Sequence, residues 1–247
     1  PAPTMMYAPA SVQDAWDNHF SAFGAQNLGQ IMRDYTDESV LESYAASTGE
    51  LTTASGLTEI RAFFADLFAM LTDLTDLVAP VVDVTESPMK QVFLIWGCKS
   101  SNLAFAHDSF YFDSEYKIIR QNIGWRAGTY PALTSNATVV YADPSSDEPS
   151  EDDTYAPATV QDAWDNHFNS FGAQDLDQIM LDYTDESVLE SFEGTAGVLT
   201  IATGKAQIRQ FFSDLFAMLS DMSELAVPVN EVTEEPMKQV YLIWSCV

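Results

Sequence analysis

The sequence predicts an α+β fold written twice, as two tandem domains that each pack helices against the concave face of a curved antiparallel sheet. Residues 9–99 recur without a gap as residues 157–247, so that Trp16 matches Trp164 and Asp34 matches Asp182, with about two-thirds of the aligned positions identical. A repeat far longer than the ~20–50 residues of a solenoid unit is a duplicated globular domain. Within a repeat, segments of helical period come first and segments of strand period follow, which is the order of an α+β domain.

Taken in order, Val12, Ala15, Trp16, His19, Phe20 and Phe23 share one helical face that ends at Gly24, and a shorter helix covers 28–33. Asp34-Tyr35-Thr36-Asp37 turns into a strand at 39–46, where side chains alternate. The next helix runs over 57–71 with Ile60, Phe63, Phe64, Leu67 and Phe68 inward. Strand-like runs follow at 77–86, 91–98, 103–112 and 117–125. The domains are thus expected at 8–126 and 156–247, joined by a 127–155 linker whose Asp143–Asp153 portion has proline, serine and acid but no aliphatic residue, a self-repelling and extended composition. That acidic run lacks the glycine and final glutamate of an EF-hand loop, so no metal is expected there. The second repeat stops inside a strand-like run and has no counterpart of 103–125, so its missing strands are expected either from polypeptide beyond Val247 or from another chain.

With 47% hydrophobic residues, each half can bury a core, and a soluble globular protein is expected. The 37 acidic against 10 basic residues give a formal charge of −27, which repels nucleic-acid phosphate and anionic membrane surfaces. We therefore expect neither as a partner. No apolar run approaches a spanning helix, and the start at Pro1 has neither the basic nor the hydrophobic part of a signal peptide; starting without methionine suggests a mature or trimmed chain. Cys98 and Cys246 occupy the same position in the two copies, so neither copy closes an internal disulfide and free, semi-buried thiols are expected.

Trp16-Asp-Asn-His-Phe20, Asp34-Tyr-Thr-Asp37, Val92-Phe-Leu-Ile-Trp96, Ala106-His-Asp-Ser-Phe110 and Lys117-Ile-Ile-Arg-Gln-Asn122, in this element order, resemble the cone-shaped superfamily of nuclear transport factor 2 and SnoaL-like proteins. Within it the chain is most similar to the iota-class, metal-independent carbonic anhydrases of algae and cyanobacteria, related to the association domain of calcium/calmodulin-dependent kinase. The resemblance spans all of the first copy and the covered part of the second. It implies reversible hydration of carbon dioxide to bicarbonate without a cofactor, an algal organelle such as the plastid, and assembly as a repeat–repeat pseudo-dimer or homo-oligomer. Composition itself does not reveal the compartment.

His107 and Ser109 lie two apart on a strand and project from one face with Phe105 and Tyr111. On pattern alone this reads as a half-exposed strand histidine beside a satisfied hydroxyl; the resemblance instead implies an active-site His-x-Ser element, with Tyr35 as the phenol beside it. Trp16 and His19, three apart on the first helix, face inward as core or as pocket wall. Tyr44 becomes Phe192 in the second copy, whereas Tyr35 persists as Tyr183, and Thr36 reads equally well as a turn residue. The expected site thus has Tyr35, His107 and Ser109 as catalytic residues and Trp16, His19, Thr36, Tyr44 and Tyr111 around the substrate. With His19 and His107 the only histidines of the first copy, a three-histidine zinc centre cannot form within it; two histidines with a carboxylate remain arithmetically possible, but no metal site is expected. In this scheme hydroxyls hold the attacking water and the growing oxyanion while His107 takes the proton. Two further readings are a SnoaL-like isomerase, cyclase or dehydratase and a non-catalytic association module.

Overall fold

A computed structural model describes residues 7–128, 133, 136–145, 155–219, 221–235 and 237–245. The chain divides into two compact units, Pro1–Ala137 and Thr138–Val247. Unit 1 runs α1 (Val12–Gly24), α2 (Leu28–Ile31), β1 (Tyr35–Ala45), β2 (Glu50–Ser55), α3 (Gly56–Met70), β3 (Leu77–Thr85), β4 (Gln91–Cys98), β5 (Leu103–Phe112) and β6 (Ile118–Ala127). Helix α1 forms where its apolar face predicts. The Ser11 hydroxyl accepts the Asp14 amide at 3.0 Å, and the Val12 amide donates to Glu86 just beyond β3, which satisfies orphan donors of the first turn. Helix α3 begins at Gly56 with φ +72°, where an added Cβ would come within 3.0 Å of the Asp37 carbonyl; Gly204 repeats this conformation in the second copy.

The strands of unit 1 form one six-stranded sheet in the order β2-β1-β6-β5-β4-β3. Register shifts in four of its five strand pairs bend it, as bulges do. The sheet is mixed rather than wholly antiparallel, because β1 and β6 run parallel. Its inner face carries Leu41, Leu94, Trp96, Ala106, Phe110 and Ile123, which pack with Trp16, Phe23, Ile60 and Phe64 of the helices into one core. Phe64 and Phe110 are 1% and 2% exposed, and each such burial contributes roughly 1.5–3 kcal/mol. The opposite face holds a buried ion pair, Arg120 to Glu42 at 2.5 Å, with Arg120 Nε also donating to Asn122.

Helix α3 and strands β4 and β5 match the sequence expectation within a residue. Strand β1 starts at Tyr35 rather than at residue 39, because the turn residues already pair with β6 through Tyr35 and Ile118. Strand β2 was not expected: only Ala54 of its six residues is buried, so an edge position gives little hydrophobic alternation to read. Cys98 is a buried free thiol that donates to the Asp73 carbonyl at 3.0 Å; Cys246 lies outside the described residues.

The expected 127–155 linker needs correction at its start. Residue 127 closes β6, and Thr138–Tyr141 forms a strand, β7, all four residues of which are exposed. Residues 146–153 of the acidic run lie outside the described residues. Unit 2 continues with α4 (Val160–Ala173), α5 (Leu176–Ile179), β8 (Val188–Glu193), β9 (Val198–Thr203), α6 (Gly204–Met218), β10 (Ala226–Thr233) and β11 (Gln239–Ser245). Its strands make two separate sheets, β7-β9-β8 with β7 parallel to β9, and β10-β11. Among the described residues no helix is long and apolar enough to cross a membrane.

Candidate functional site

The bent sheet, α1 and α3 of unit 1 enclose an apolar cup of about 40 Å³. Most of its wall is aromatic or aliphatic, including Trp16, Phe20, Phe64 and Phe110, and four polar side chains reach it: His19, Ser43, Asp108 and Gln121. Asp108 projects from β5 between Ala106 and Phe110, on the inner face. Its Oδ2 accepts the indole N–H of Trp96 at 2.7 Å and its Oδ1 accepts Gln121 Nε2 at 2.8 Å. Gln121 Oε1 in turn accepts the Tyr35 hydroxyl at 2.5 Å. These three bonds fix the orientation of the Gln121 amide, since its NH₂ faces a carboxylate and its oxygen faces a hydroxyl. Burial pushes the Asp108 carboxyl up to about 6, against the lowering effect of the Trp96 and Gln121 bonds and of nearby His19. Burial also raises the Tyr35 phenol well above its ordinary value, helped by the charges of Asp34 and Asp108.

Opposite, α1 carries His19, whose Nδ1 lies 3.2 Å from Asp34 Oδ2. Asp34 is fully buried and accepts two further bonds, from the Tyr7 hydroxyl at 2.6 Å and Asn18 Nδ2 at 2.7 Å. A buried carboxylate at this distance makes Nδ1 a proton-bearing nitrogen of His19 and leaves Nε2 as the ring position with no protein hydrogen bond among the described residues. The imidazole is wedged among rings, with its centroid 5.0 Å from Phe110 and 6.0 Å from Phe64. The cup therefore contains an oriented imidazole and a carboxyl raised toward neutral pH in an otherwise apolar space. Such an arrangement can take a proton from one atom of a small molecule and return one to another.

Of the residues expected from sequence, Trp16 and His19 line the cup, and Tyr35 sits one layer behind it, reaching the space through Gln121. His107, Ser109 and Tyr111 do not join them. They project from the outer face of β5, alternating with the inward Ala106, Asp108, Phe110 and Phe112. Tyr44 likewise lies on the outer side of β1, while its neighbour Ser43 lines the cup. Thr36 lies at the start of β1 rather than in a turn: its hydroxyl accepts the Glu38 amide and lies 3.3 Å from the Ser39 hydroxyl. The physical reason is parity. A strand's side chains alternate, so choosing His107 rather than Asp108 as the inward residue turns the whole strand over. Asp108, Gln121, Trp96 and Asp34 were missed. The repetition of His19 and Asp34 as His167 and Asp182 was the available signal for the dyad.

His107 is half-buried and lies over Gly124, its cross-strand partner. A Cβ at residue 124 would fall 2.1 Å from His107 Nε2, and burial lowers the imidazole to about 4. We expect Gly124→Ala to destabilise unit 1 by about 1–3 kcal/mol through overpacking. Adding His107→Ala should restore most of the loss, as read by urea unfolding of the two variants; equal loss in both would contradict this packing.

Unit 2 repeats the dyad, His167 Nδ1 to Asp182 Oδ2 at 3.2 Å, with Tyr155 and Asn166 also donating to Asp182. Among the described residues no group of three His, Cys, Asp or Glu side chains could hold a metal ion.

No family model and no curated protein matches the sequence. Solved structures similar to this chain include a steroid delta-isomerase from Pseudomonas aeruginosa, at 15% identity over 49% of this chain and 83% of that one, with a TM-score of 0.38. A SnoaL-like protein of unknown function from Burkholderia thailandensis is 15% identical over 46% of this chain and 92% of that one, with a TM-score of 0.36. The epoxide hydrolase/cyclase-like enzyme of salinomycin pyran-ring formation is 15% identical over 46% and 89%, with a TM-score of 0.36. Each covers about half of this chain, and at these scores the site is read from its own geometry.

Proposed function

We propose that unit 1 is an acid–base enzyme of the isomerase or dehydratase kind, acting on a small carbonyl compound within a nuclear transport factor 2-like cup. The observation that carries this reading is the Asp108 carboxyl, buried in an apolar cup, pushed up to about 6 and bonded through both oxygens. Two N–H donors aimed at it arrange the ionised form, so Asp108 is the proton acceptor. When it takes a proton, Gln121 can turn its amide, presenting Oε1 to the new O–H and Nε2 to the Tyr35 oxygen, so the network accommodates both charge states. His19, oriented by Asp34, handles the second proton through Nε2. The apolar wall keeps water from competing for either group.

A second reading, cofactor-free hydration of carbon dioxide, is favoured by the size of the cup. At roughly 10–15 Å³ per water, 40 Å³ admits about three waters, which suits a molecule of a few heavy atoms and not a polycyclic one. In that chemistry His19 would take the proton of the attacking water through Nε2, in the role that the resemblance implied for His107. The two readings separate experimentally. In the presence of a chelator, deuterium exchange alpha to the carbonyl of small ketones is followed by NMR beside a carbon dioxide hydration assay. Carbonyl exchange lost in Asp108→Asn supports the first reading; hydration lost in His19→Gln but kept in Asp108→Asn supports the second. Activity of either kind that survives both substitutions would defeat both.

A further inference from the structure

Of the four polar side chains in the cup, Ser43 belongs neither to the Asp108–Gln121–Tyr35 chain nor to the His19–Asp34 pair. It is 4% exposed and lines the cup from β1, and among the described residues its hydroxyl has no hydrogen-bond partner. The other buried serines are bonded, Ser39 to the Ile118 carbonyl and Ser170 to the Asn166 carbonyl, each at 2.6 Å. Buried hydroxyls normally are, because an unbonded one in an apolar wall is costly. The hydroxyl recurs as Ser191, which lines the corresponding hollow of unit 2, although Tyr44 beside it becomes Phe192.

Strand register places Ser43 relative to the base. Ser43 of β1 is the cross-strand partner of Ile123 on β6, and Ile123 that of Asp108 on β5, so the three form one row across the inner face. Two inter-strand steps, about 10 Å between Cα atoms, separate Ser43 from Asp108, with the Ile123 side chain between them. His19 stands at the other end, against Phe110, the next inward residue of β5.

We propose that the Ser43 hydroxyl holds the carbonyl oxygen of the substrate, and that the substrate is a short ketone or aldehyde lying across Ile123 with its acidic C–H toward β5. This rests on the acid–base reading above. The carbon and oxygen of an H–C–C=O unit are about 2.4 Å apart. With a contact of about 3 Å at either end, the unit spans about 8 Å, within reach of two side chains standing two strands apart on a concave face. Asp108 takes the proton from carbon, the C–H electron pair becomes the C=C bond of the enolate, and the carbonyl π pair moves to oxygen. There the Ser43 O–H, which keeps its proton, meets the new charge. Return of a proton to carbon reverses these steps, and no other reactant is consumed. Gln121 is not free to do this, because its amide is committed to Asp108 and Tyr35 at its two ends. Ile123 and Trp125, which share the wall with Ser43, offer an enolate oxygen no side-chain donor directed by the same row.

Ser43→Ala tests this in the full chain. Its urea midpoint should equal or exceed that of the wild type, since no protein hydrogen bond is lost; earlier unfolding would mean that the hydroxyl already serves the fold and would overturn the proposal. Deuterium exchange of acetone should fall by about a hundred- to a thousandfold, the worth of one oxyanion donor. Independently of turnover, acetone labelled with carbon-13 at the carbonyl is titrated with each protein and its resonance extrapolated to the bound state. The bound carbonyl should resonate further downfield in the wild type than in Ser43→Ala, as a carbonyl that accepts a hydrogen bond does. Exchange at the wild-type rate in Ser43→Ala, where Asp108→Asn has lost it, would overturn the role of Ser43 and leave the acid–base reading standing. A downfield difference in a wild type that exchanges no deuterium would uphold the Ser43 contact and defeat the acid–base reading instead. Equal bound resonances, or no shift of acetone with either protein, would overturn the proposal.

Discussion

Asp108→Asn is expected to lower carbonyl-proton exchange by about a hundred- to ten-thousand-fold, the usual worth of a positioned base, while leaving the fold of unit 1 intact. The asparagine oxygen can still accept from Trp96. Its NH₂ meets Gln121, whose amide can turn so that Oε1 accepts and Nε2 donates to the Tyr35 oxygen. The residual rate separates loss of a base from loss of a pocket. The wild-type rate should rise with pH through about 6, where Asp108 ionises. Stability should move the opposite way. The folded carboxyl titrates above its unfolded value near 3.9, so between pH 4 and 6 the folded state binds the extra proton, and stability falls as pH rises across that window. Two pH units correspond to about 3 kcal/mol, a slope present in the wild type and absent in Asp108→Asn when their unfolding curves are subtracted. The subtraction removes the many other carboxylates of this acidic chain.

Arg120→Met should destabilise unit 1 by about 3–5 kcal/mol, because it leaves the Glu42 carboxylate buried without its partner. Both side chains lie on the outer face of the sheet, and neither is more than 7% exposed. Replacing both, Glu42→Leu with Arg120→Met, should recover most of that loss, since two apolar groups impose no desolvation of charge. Urea denaturation of the single and double variants measures this. Arg120 precedes Gln121 on β6 and faces the other way, so the surviving folded fraction of either variant should keep the pH profile of the wild type; a shifted profile would mean that the ion pair reaches through the sheet to Asp108.

Much of this was legible in the sequence. The helical face of Val12 to Phe23 and the apolar period of α3 marked the helices, and the repeat of residues 9–99 marked the duplication. The edge strand β2 was not legible, because an exposed edge strand has no buried stripe to alternate with. The parallel β1–β6 pair was hidden for another reason: pairing direction depends on which strands meet in space, and the period of a strand is the same in either direction. At the site, Trp16 and His19 were found from their apolar helix face and their persistence in both copies, and Tyr35 from the resemblance. Asp108 was not, because β5 carries aromatic residues on both faces, Phe105 and Tyr111 outward and Phe110 and Phe112 inward, so hydrophobicity did not decide its parity. The preference for His107 over Asp108 rested on resemblance, and the register of β5 against β4 and β6 reverses it. Gln121 gave no sign of its role, since the role exists only once Tyr35 and Asp108 are placed on either side of it.

The most direct measurement is the titration of the Asp108 carboxyl by carbon-13 NMR in the full chain, its resonance assigned by its absence from Asp108→Asn. A midpoint near 6 is the expected result, reporting a carboxyl held in a dry cup and available as a base near neutral pH. A midpoint at or below about 4, the ordinary aspartate value, would mean that Asp108 sits in water and that the cup does not hold the chemistry assigned to it.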